Sequence, residues 1–120
     1  MTDLRLGEIE ARFARIIWEN EPLASSKLAS LAESELGWKK TTCYTVLKRL
    51  CQKGIFQNIN GEVTSLIKRE EYFSLKSERF VEEAFNGSLP AFLTAFTRGK
   101  GLSHKEADEL RKIISQYEEV

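Results

Sequence analysis

The sequence predicts a mainly α-helical protein with one small β-hairpin. Three observations support this prediction. Apolar residues recur at steps of three and four in residues 6–19, which is typical of an amphipathic helix, and the apolar positions and end signals of five later segments also indicate helices. The Asn-Gly pair at residues 60 and 61 lies between two runs that hold β-branched residues and indicates a two-residue hairpin turn. Of the 120 residues, 42% are apolar and 30% are charged, so the chain can bury a core and is globular rather than disordered.

Three helices are predicted before the hairpin. The first spans residues 6–19 and ends before Pro22, because proline disfavours a helical residue in front of it. The second begins at a serine cap, either Ser25 or Ser26. It ends at Gly37, where a left-handed residue is favoured.

The third helix runs from about Lys40 to Lys53 and leads into the hairpin. Its apolar stripe is narrow, so most of its surface is polar. The hairpin strands cover residues 55–59 and 63–67, joined at Asn60-Gly61 because both turn positions tolerate a positive φ. This order predicts a winged helix-turn-helix, in which the second and third helices form the helix-turn-helix and the hairpin forms the wing.

Three further helices are predicted after the hairpin. The first of them spans residues 69–85, and Asn86-Gly87 ends it. Ser88 caps the next helix, and Ser103 with Glu106 forms a capping box that opens the last. We therefore expect two domains, a winged helix over residues 1–68 and a three-helix domain over residues 69–120.

The net charge of zero conceals an uneven distribution. Residues 1–38 carry four basic and seven acidic side chains, residues 39–69 carry seven and one, and residues 70–120 carry seven and ten. The three segments therefore have net charges of −3, +6 and −3. A neutral total excludes a protein that coats nucleic acid by bulk charge. The positive charge is concentrated on the third helix and the wing, the two elements that a winged helix presents to DNA.

The residues of the third helix suit DNA contact. Lysine and arginine neutralise phosphates, and threonine bonds phosphates or base edges. The alternative is that these side chains only solvate the outside of a core helix. The coincidence of a basic helix with a hairpin turn favours DNA. The expected contact residues are Lys39, Lys40, Thr41, Thr42, Tyr44, Thr45, Lys48, Arg49 and Asn60.

Residues 38–54 read WKKTTCYTVLKRLCQKG. This run resembles the Trp-Ser-x-x-Thr-[Val/Ile]-x-Thr-[Leu/Met]-[Leu/Ile]-x-Arg-Leu-x-x-Lys-Gly motif of the penicillinase-repressor (BlaI/MecI) family of winged-helix transcription repressors. The similarity spans nearly the whole chain and includes Ile17-Trp18 and Gly87-Ser88-Leu89. The resemblance implies a homodimer whose winged helices each bind one half of a palindromic operator. The C-terminal helices would hold the two subunits together.

The aromatic content of the C-terminal region agrees with a dimer. Five of the seven phenylalanines lie between residues 73 and 96. A unit of about 50 residues buries a low fraction of its surface, so a partner chain would cover these rings. Packing back on the N-terminal domain is the alternative. The residues expected at the dimer interface are Phe73, Phe80, Phe85, Leu89, Phe92, Phe96, Leu110, Ile113 and Ile114.

The chain departs from the family pattern in three places. Lys39 replaces the serine that caps the recognition helix, so Thr41 or a bound phosphate would take that role. The wing lacks the usual aromatic run after its turn. Family members that control β-lactam resistance are inactivated by cleavage of an Asn-Phe bond, and the matching residues here are Ala95 and Phe96.

The missing asparagine leaves two alternatives open. One is control of β-lactam resistance genes, with cleavage at this bond and a membrane sensor protease as a further partner. The other is a repressor of the same fold with a different signal. The copper-responsive relatives end in a Cys-x-Cys motif, whereas this chain has no cysteine after Cys51.

Other classes of protein are disfavoured. Cys43 and Cys51 are two helical turns apart, about 12 Å, which is too far for a disulfide and predicts reduced thiols in a cytoplasmic protein. We expect no signal peptide, membrane span, metal or cofactor. With one histidine and no phosphate loop, the chain does not read as an enzyme. A winged helix that binds protein instead of DNA remains the other alternative. Trp18 and Trp38 are expected to pack in the core or between domains rather than to stack on DNA bases.

Overall fold

The computed structural model, which describes residues 3–119, contains six helices and one three-stranded antiparallel sheet in that range. The mainly α fold with a hairpin wing is therefore confirmed. Among these residues, no helix is both long and apolar enough to cross a membrane. The elements in chain order are α1 (Glu8–Asn20), β1 (Leu23–Ala24), α2 (Ser25–Leu36), α3 (Lys40–Gln52), β2 (Phe56–Ile59), β3 (Glu62–Ser65), α4 (Arg69–Phe85), α5 (Leu89–Gly99) and α6 (His104–Tyr117).

Most helix ends follow the predicted local signals. Gly37 ends α2 in the left-handed conformation, with φ +69°, and its N–H donates to the Glu33 carbonyl at 3.0 Å. The Ser88 hydroxyl accepts from the Ala91 N–H at 3.1 Å and so caps α5. At α6, the predicted capping box between Ser103 and Glu106 is present.

The start of α2 differs from the prediction. Neither serine is the N-cap, because Ala24 holds that position and Ser25 is already the first helical residue. The Ser25 N–H instead donates to the Gly61 carbonyl at 2.7 Å. The preceding residues form the strand β1, which pairs with β3 and places Leu23 opposite Val63. The Gly61 carbonyl in the turn of the wing therefore accepts one of the N–H groups that the first turn of α2 leaves without a partner inside the helix.

The wing is a short hairpin with β3 at the centre of the sheet. Asn60 and Gly61 form the turn with φ values of +52° and +84°, as predicted. The β3 strand ends at Ser65, earlier than predicted, because the N–H groups of Leu66 and Ile67 both turn back to the Ile55 carbonyl. The wing is thus closed at its base and fastened to α2 at its tip.

The core lies between α1, α2, α3, the sheet and the first turns of α4. Burial of a large apolar side chain stabilises a fold by roughly 1.5–3 kcal/mol. Trp18 packs on Phe56 and Tyr72 at centroid distances of 5.3 and 5.1 Å, and Trp38 packs on Phe13 at 5.0 Å. The predicted packing role of both tryptophans is confirmed. The largest fully buried residues are Tyr72, Phe13, Phe56, Ile17, Leu28, Leu50, Ile55, Val63 and Cys43.

The contacts divide the chain into two units, one ending at Lys76 and the other beginning at Ser77. The division falls inside α4, because Tyr72 belongs to the N-terminal core. Its side chain is 1% exposed, and its hydroxyl donates to the Leu4 carbonyl at 3.2 Å. The C-terminal unit has a different character, since none of its described residues is buried.

Candidate nucleic-acid interface

The outer face of α3 carries one polar stripe. Thr41, Thr45, Lys48 and Gln52 follow one another at steps of three and four, so they lie along one side of the helix, and all four are exposed. The opposite side holds the buried residues Cys43, Val46, Leu47 and Leu50. Gln52 was not among the predicted contacts. Its spacing from Lys48 and Thr45 is the signal that would have found it.

The other predicted residues of α3 flank this outer stripe. Thr42 is exposed, and Tyr44 is half-buried with the Lys40 ammonium 5.8 Å from its ring centroid. This distance permits a cation–π contact, which orients the lysine at the first turn. Within the stripe, the Thr45 hydroxyl donates to the Thr41 carbonyl at 2.9 Å. Thr45 therefore offers its methyl group and its oxygen lone pairs outward.

No side chain caps the N-terminus of α3. The expectation that Thr41 would take over this role is therefore wrong, since Lys39 holds the cap position without a capping bond. An uncapped helix start carries partial positive charge. It lies beside the exposed side chains of Lys39 and Lys40.

Two basic residues at the end of α3 are held by one carboxylate of α1. Arg49 Nη1 lies 3.1 Å from Glu10 Oε2, and Lys53 Nζ lies 3.6 Å from Glu10 Oε1. The Gly7 N–H donates to the same carboxylate at 3.0 Å, and Lys53 also donates to the Arg5 carbonyl. The Gly7 bond, helped by Arg49 and Lys53 against the effect of burial, holds the pKa of the Glu10 carboxyl below its ordinary value.

A second carboxylate fastens the wing. Glu21 accepts from the N–H and the hydroxyl of Ser65, both at 2.8 Å, and lies 3.4 Å from Lys68 Nζ. Burial alone would raise the pKa of Glu21, but the bonds from Ser65 and Lys68 outweigh it and leave the pKa below its ordinary value.

The expectation of a basic wing is wrong. The strands and the turn between Ile55 and Ile67 contain no lysine or arginine, and Glu62 gives them an acidic residue. Lys68 and Arg69 follow β3, and Arg69 already belongs to α4. Asn60 is exposed at the wing tip. Among the basic residues of α3 and its cap, those that form no ion pair with any residue of the range 3–119 are Lys39, Lys40 and Lys48.

Most of the residues predicted for a dimer interface belong to the C-terminal unit, which exposes apolar side chains. Phe80, Phe85 and Phe92 form edge contacts with centroid distances between 5.6 and 6.1 Å. A groove of about 250 Å³ between α5 and α6 is lined by Phe96, Leu110 and other side chains. The exposed members of the predicted set are Phe73, Phe80, Leu89, Phe96, Ile113 and Ile114, and the half-buried members are Phe85, Phe92 and Leu110. Of these, only Phe73 belongs to the N-terminal unit. Ala95 is also exposed, beside Phe96 in α5.

The two cysteines are free thiols, as predicted. Burial raises the pKa of Cys43 to about 11 and also raises the pKa of Cys51, so neither is primed to act as a thiolate. In the range 3–119, no three His, Cys, Asp or Glu side chains come close enough together to hold a metal ion.

Comparison with known proteins agrees with this arrangement. The family described as penicillinase repressor matches residues 6–116. The penicillinase repressor of Bacillus licheniformis is 25% identical over 117 residues, which cover 94% of this chain and 91% of that protein. The methicillin resistance regulatory protein MecI of Staphylococcus aureus strain Mu50 is 23% identical over 115 residues, covering 92% of this chain and 94% of the relative. The chain belongs to the penicillinase repressor family.

Proposed function

We propose that the chain is a cytoplasmic, homodimeric transcriptional repressor that binds a palindromic DNA operator through α3. The observation that carries this proposal is the outer stripe of α3, whose four residues are all exposed and none of which is acidic. It places Lys48 between threonine and glutamine side chains that can hydrogen-bond base edges. A module that binds protein through this helix would instead expose acidic or apolar residues there.

In this proposal α3 enters the major groove with its first turns toward the bases. Thr41, Thr45, Lys48 and Gln52 face the base edges. Lys39, Lys40 and the uncapped helix start bind a phosphate, because free N–H groups and the helix dipole both favour an anion there. The wing contains no lysine or arginine. The Asn60 side chain therefore contacts the DNA backbone or the minor groove by hydrogen bonding rather than by charge.

The C-terminal unit supplies the argument for a dimer. A helical unit whose described residues are all at least partly exposed gains little from hydrophobic burial and needs a second surface to cover it. A second copy of the same unit offers the same apolar residues and closes a two-fold interface. Two winged helices related by such an axis read half-sites spaced about 34–36 Å apart, or a multiple of this distance.

The experiment measures DNA binding by fluorescence anisotropy with labelled fragments from upstream of the chain's own gene, over a series of salt concentrations. We expect specific binding that weakens steeply with salt. Lys48→Ala should weaken specific binding by ~1–3 kcal/mol for a base contact, and by less for a phosphate contact. Lys100→Ala removes an exposed lysine between α5 and α6 and serves as the matched control. No affinity above that for bulk DNA, or equal affinities of the two variants, would contradict the proposal.

A second candidate concerns the signal. The names of the relatives point to control of resistance genes. The resemblance described above, however, matches Ala95 to the asparagine of the cleavable family members. We therefore propose that this repressor is released by a signal other than cleavage of that bond. On incubation with a sensor protease that cuts Asn-Phe bonds, the natural chain should stay intact while Ala95→Asn is cut. Cleavage of the natural chain between Ala95 and Phe96 would restore the proteolytic switch.

A further inference from the structure

A cleft of about 190 Å³ lies between α1 and α4, wholly within the N-terminal unit. The residues that line it come from neither α3 nor the wing, so the proposed DNA contacts do not account for it. Its walls combine aromatic rings with basic side chains: Arg15 and Trp18 from α1, and Arg69, Tyr72, Phe73 and Lys76 from α4.

The aromatic side of the cleft is a cluster of three rings. The centroids of Trp18 and Tyr72 are 5.1 Å apart, and those of Tyr72 and Phe73 are 5.3 Å apart in an edge arrangement. Tyr72 is buried and held by its bond to the Leu4 carbonyl, whereas Phe73 is 46% exposed. The Trp18 indole is fixed by its bond to the Ile67 carbonyl at 3.0 Å. A flat ring that enters the cleft therefore meets a positioned aromatic surface.

The basic side of the cleft brings like charges together. The Arg69 guanidinium lies over the Phe73 ring, 5.8 Å from its centroid, and Lys76 Nζ lies over the Tyr72 ring, also 5.8 Å from its centroid, so each cation contacts one ring of the cluster. Arg15 approaches from α1. None of these three cations forms an ion pair with another residue of the described range 3–119.

The positive charge extends into an adjoining cleft of about 530 Å³. This second cleft shares Arg15 and Lys76 with the first and adds Arg12. One carboxylate, Glu8, stands among the cations that line the two clefts. Cations that converge without matching carboxylates repel one another, and a bound anion removes that repulsion.

We propose that the cleft between α1 and α4 binds a small anion that carries a single flat ring, an aromatic carboxylate or phosphate ester. The volume argues for one ring, since pockets for drug-sized ligands measure roughly 300–1,000 Å³. The ring would lie against Trp18 and Phe73. The acidic group would lie between Arg15, Arg69 and Lys76, where arginine can hold a carboxylate or phosphate through two parallel hydrogen bonds.

The test uses the two tryptophans of the full-length chain as internal probes. Trp18 lines the cleft, whereas Trp38 packs on Phe13 elsewhere in the core. In nitrogen-15 NMR spectra, benzoate and phenyl phosphate should each shift the Trp18 indole N–H resonance in a saturable way, with a Kd of about 1 mM or below. The Trp38 resonance should stay in place and report that the fold is intact. The relative affinities of the two probes identify the preferred acidic group.

Two pairs of controls test whether binding needs both the ring and the charge of the ligand, and whether it needs the arginines of the cleft. Inorganic phosphate lacks the ring and benzyl alcohol lacks the charge, so each should bind at least about tenfold more weakly than phenyl phosphate. The double variant Arg15→Ala/Arg69→Ala should lose about tenfold in affinity. Lys27→Ala/Lys100→Ala removes the same charge from exposed positions outside the cleft and should bind like the natural chain.

Three results would overturn the proposal. One is equal movement of the two indole resonances, which indicates non-specific binding. Another is unchanged affinity in the arginine double variant while its Trp38 resonance shows a native fold. The third is the absence of any shift with either aromatic anion, as expected if the dimer partner fills the cleft beside Phe73.

Discussion

Two neighbouring basic residues of α3, Lys48 and Arg49, should have different roles. We expect Lys48 to bind DNA and Arg49 to stabilise the fold. Lys48 is exposed and forms no ion pair with any residue of the described range, whereas Arg49 is bonded to Glu10 at 3.1 Å. Replacement of each by alanine removes the same charge one position apart. We expect the two variants to differ in kind, because Lys48 lies on the outer stripe of α3 and Arg49 connects α3 to α1.

The expected changes in stability follow from the solvent exposure of the substituted side chains. The Arg49 side chain is 53% exposed and Glu10 is 18% exposed, so solvent screens the pair and its loss should cost about 0.5–1 kcal/mol. With a urea m-value of ~1–3 kcal/mol/M, the unfolding midpoint falls by roughly 0.5 M. Lys48→Ala should leave stability within about 0.5 kcal/mol of the natural chain. It should nevertheless weaken DNA binding by ~1–3 kcal/mol for a base contact, or lower the salt slope by about 1 for a phosphate contact.

The assay combines urea unfolding with DNA anisotropy on the same preparations. The double variant Glu10→Gln/Arg49→Ala serves as the control, because the interaction energy of the pair is the difference between the double variant and the sum of the single ones. Glutamine keeps an oxygen that can accept from the Gly7 N–H, so the start of α1 stays capped. The reasoning is refuted if Arg49→Ala weakens DNA binding more than Lys48→Ala while its urea midpoint stays unchanged.

Three further predictions concern the wing and the C-terminal unit. The pKa of Glu21 is lowered in the folded state, so the stability that Glu21 supplies is present above its ordinary pKa of 4.5 and is lost as pH falls through the folded pKa. Glu21→Gln should therefore flatten the acid side of a curve of stability against pH. An unchanged curve would contradict this prediction. Gly61→Ala should destabilise the fold by about 1–2 kcal/mol in thermal unfolding, because φ of Gly61 is +84° even though there is space for the methyl group. Gly99→Ala, at a position without a positive φ, should be nearly neutral. Equal effects of the two substitutions would rule out backbone strain. In analytical sedimentation, Phe80→Ala should shift the protein from dimer to monomer. Ile59→Ala, at a similarly exposed position on the wing, should not. An intact Phe80→Ala dimer would exclude that ring from the interface.

Local chemistry explains what the sequence could predict of the fold. The left-handed residues Gly37 and Gly61 and the caps Ser88 and Ser103 depend only on neighbours within a few positions, and the structure contains each of them. The strand β1 could not be predicted in this way. Its two residues acquire strand structure only by pairing with β3, and this pairing also decides how α2 begins.

The candidate DNA-binding surface was predictable in position but not in charge. The net charge of each segment identifies the basic helix. It cannot show which lysine and arginine side chains already form ion pairs within the protein. Glu10 lies 39 residues before Arg49, and Glu21 lies 47 residues before Lys68. Contacts across such separations arise when the fold brings α1 beside α3 and β3. They reduce the positive charge available to DNA to fewer side chains than the sequence suggests.

The C-terminal unit, in which no residue of the range 77–119 is buried, would make the activity of the protein depend steeply on its amount. Under the proposed dimer, a lone chain carries three helices with exposed apolar surface and little to oppose local opening, which makes it a good substrate for cellular proteases. Pairing would then protect a chain, and an unpaired chain would be degraded. At low expression the number of active repressors would rise with the square of the number of chains. A cell that halves its supply of this protein would therefore lose about three-quarters of its bound operators rather than half of them.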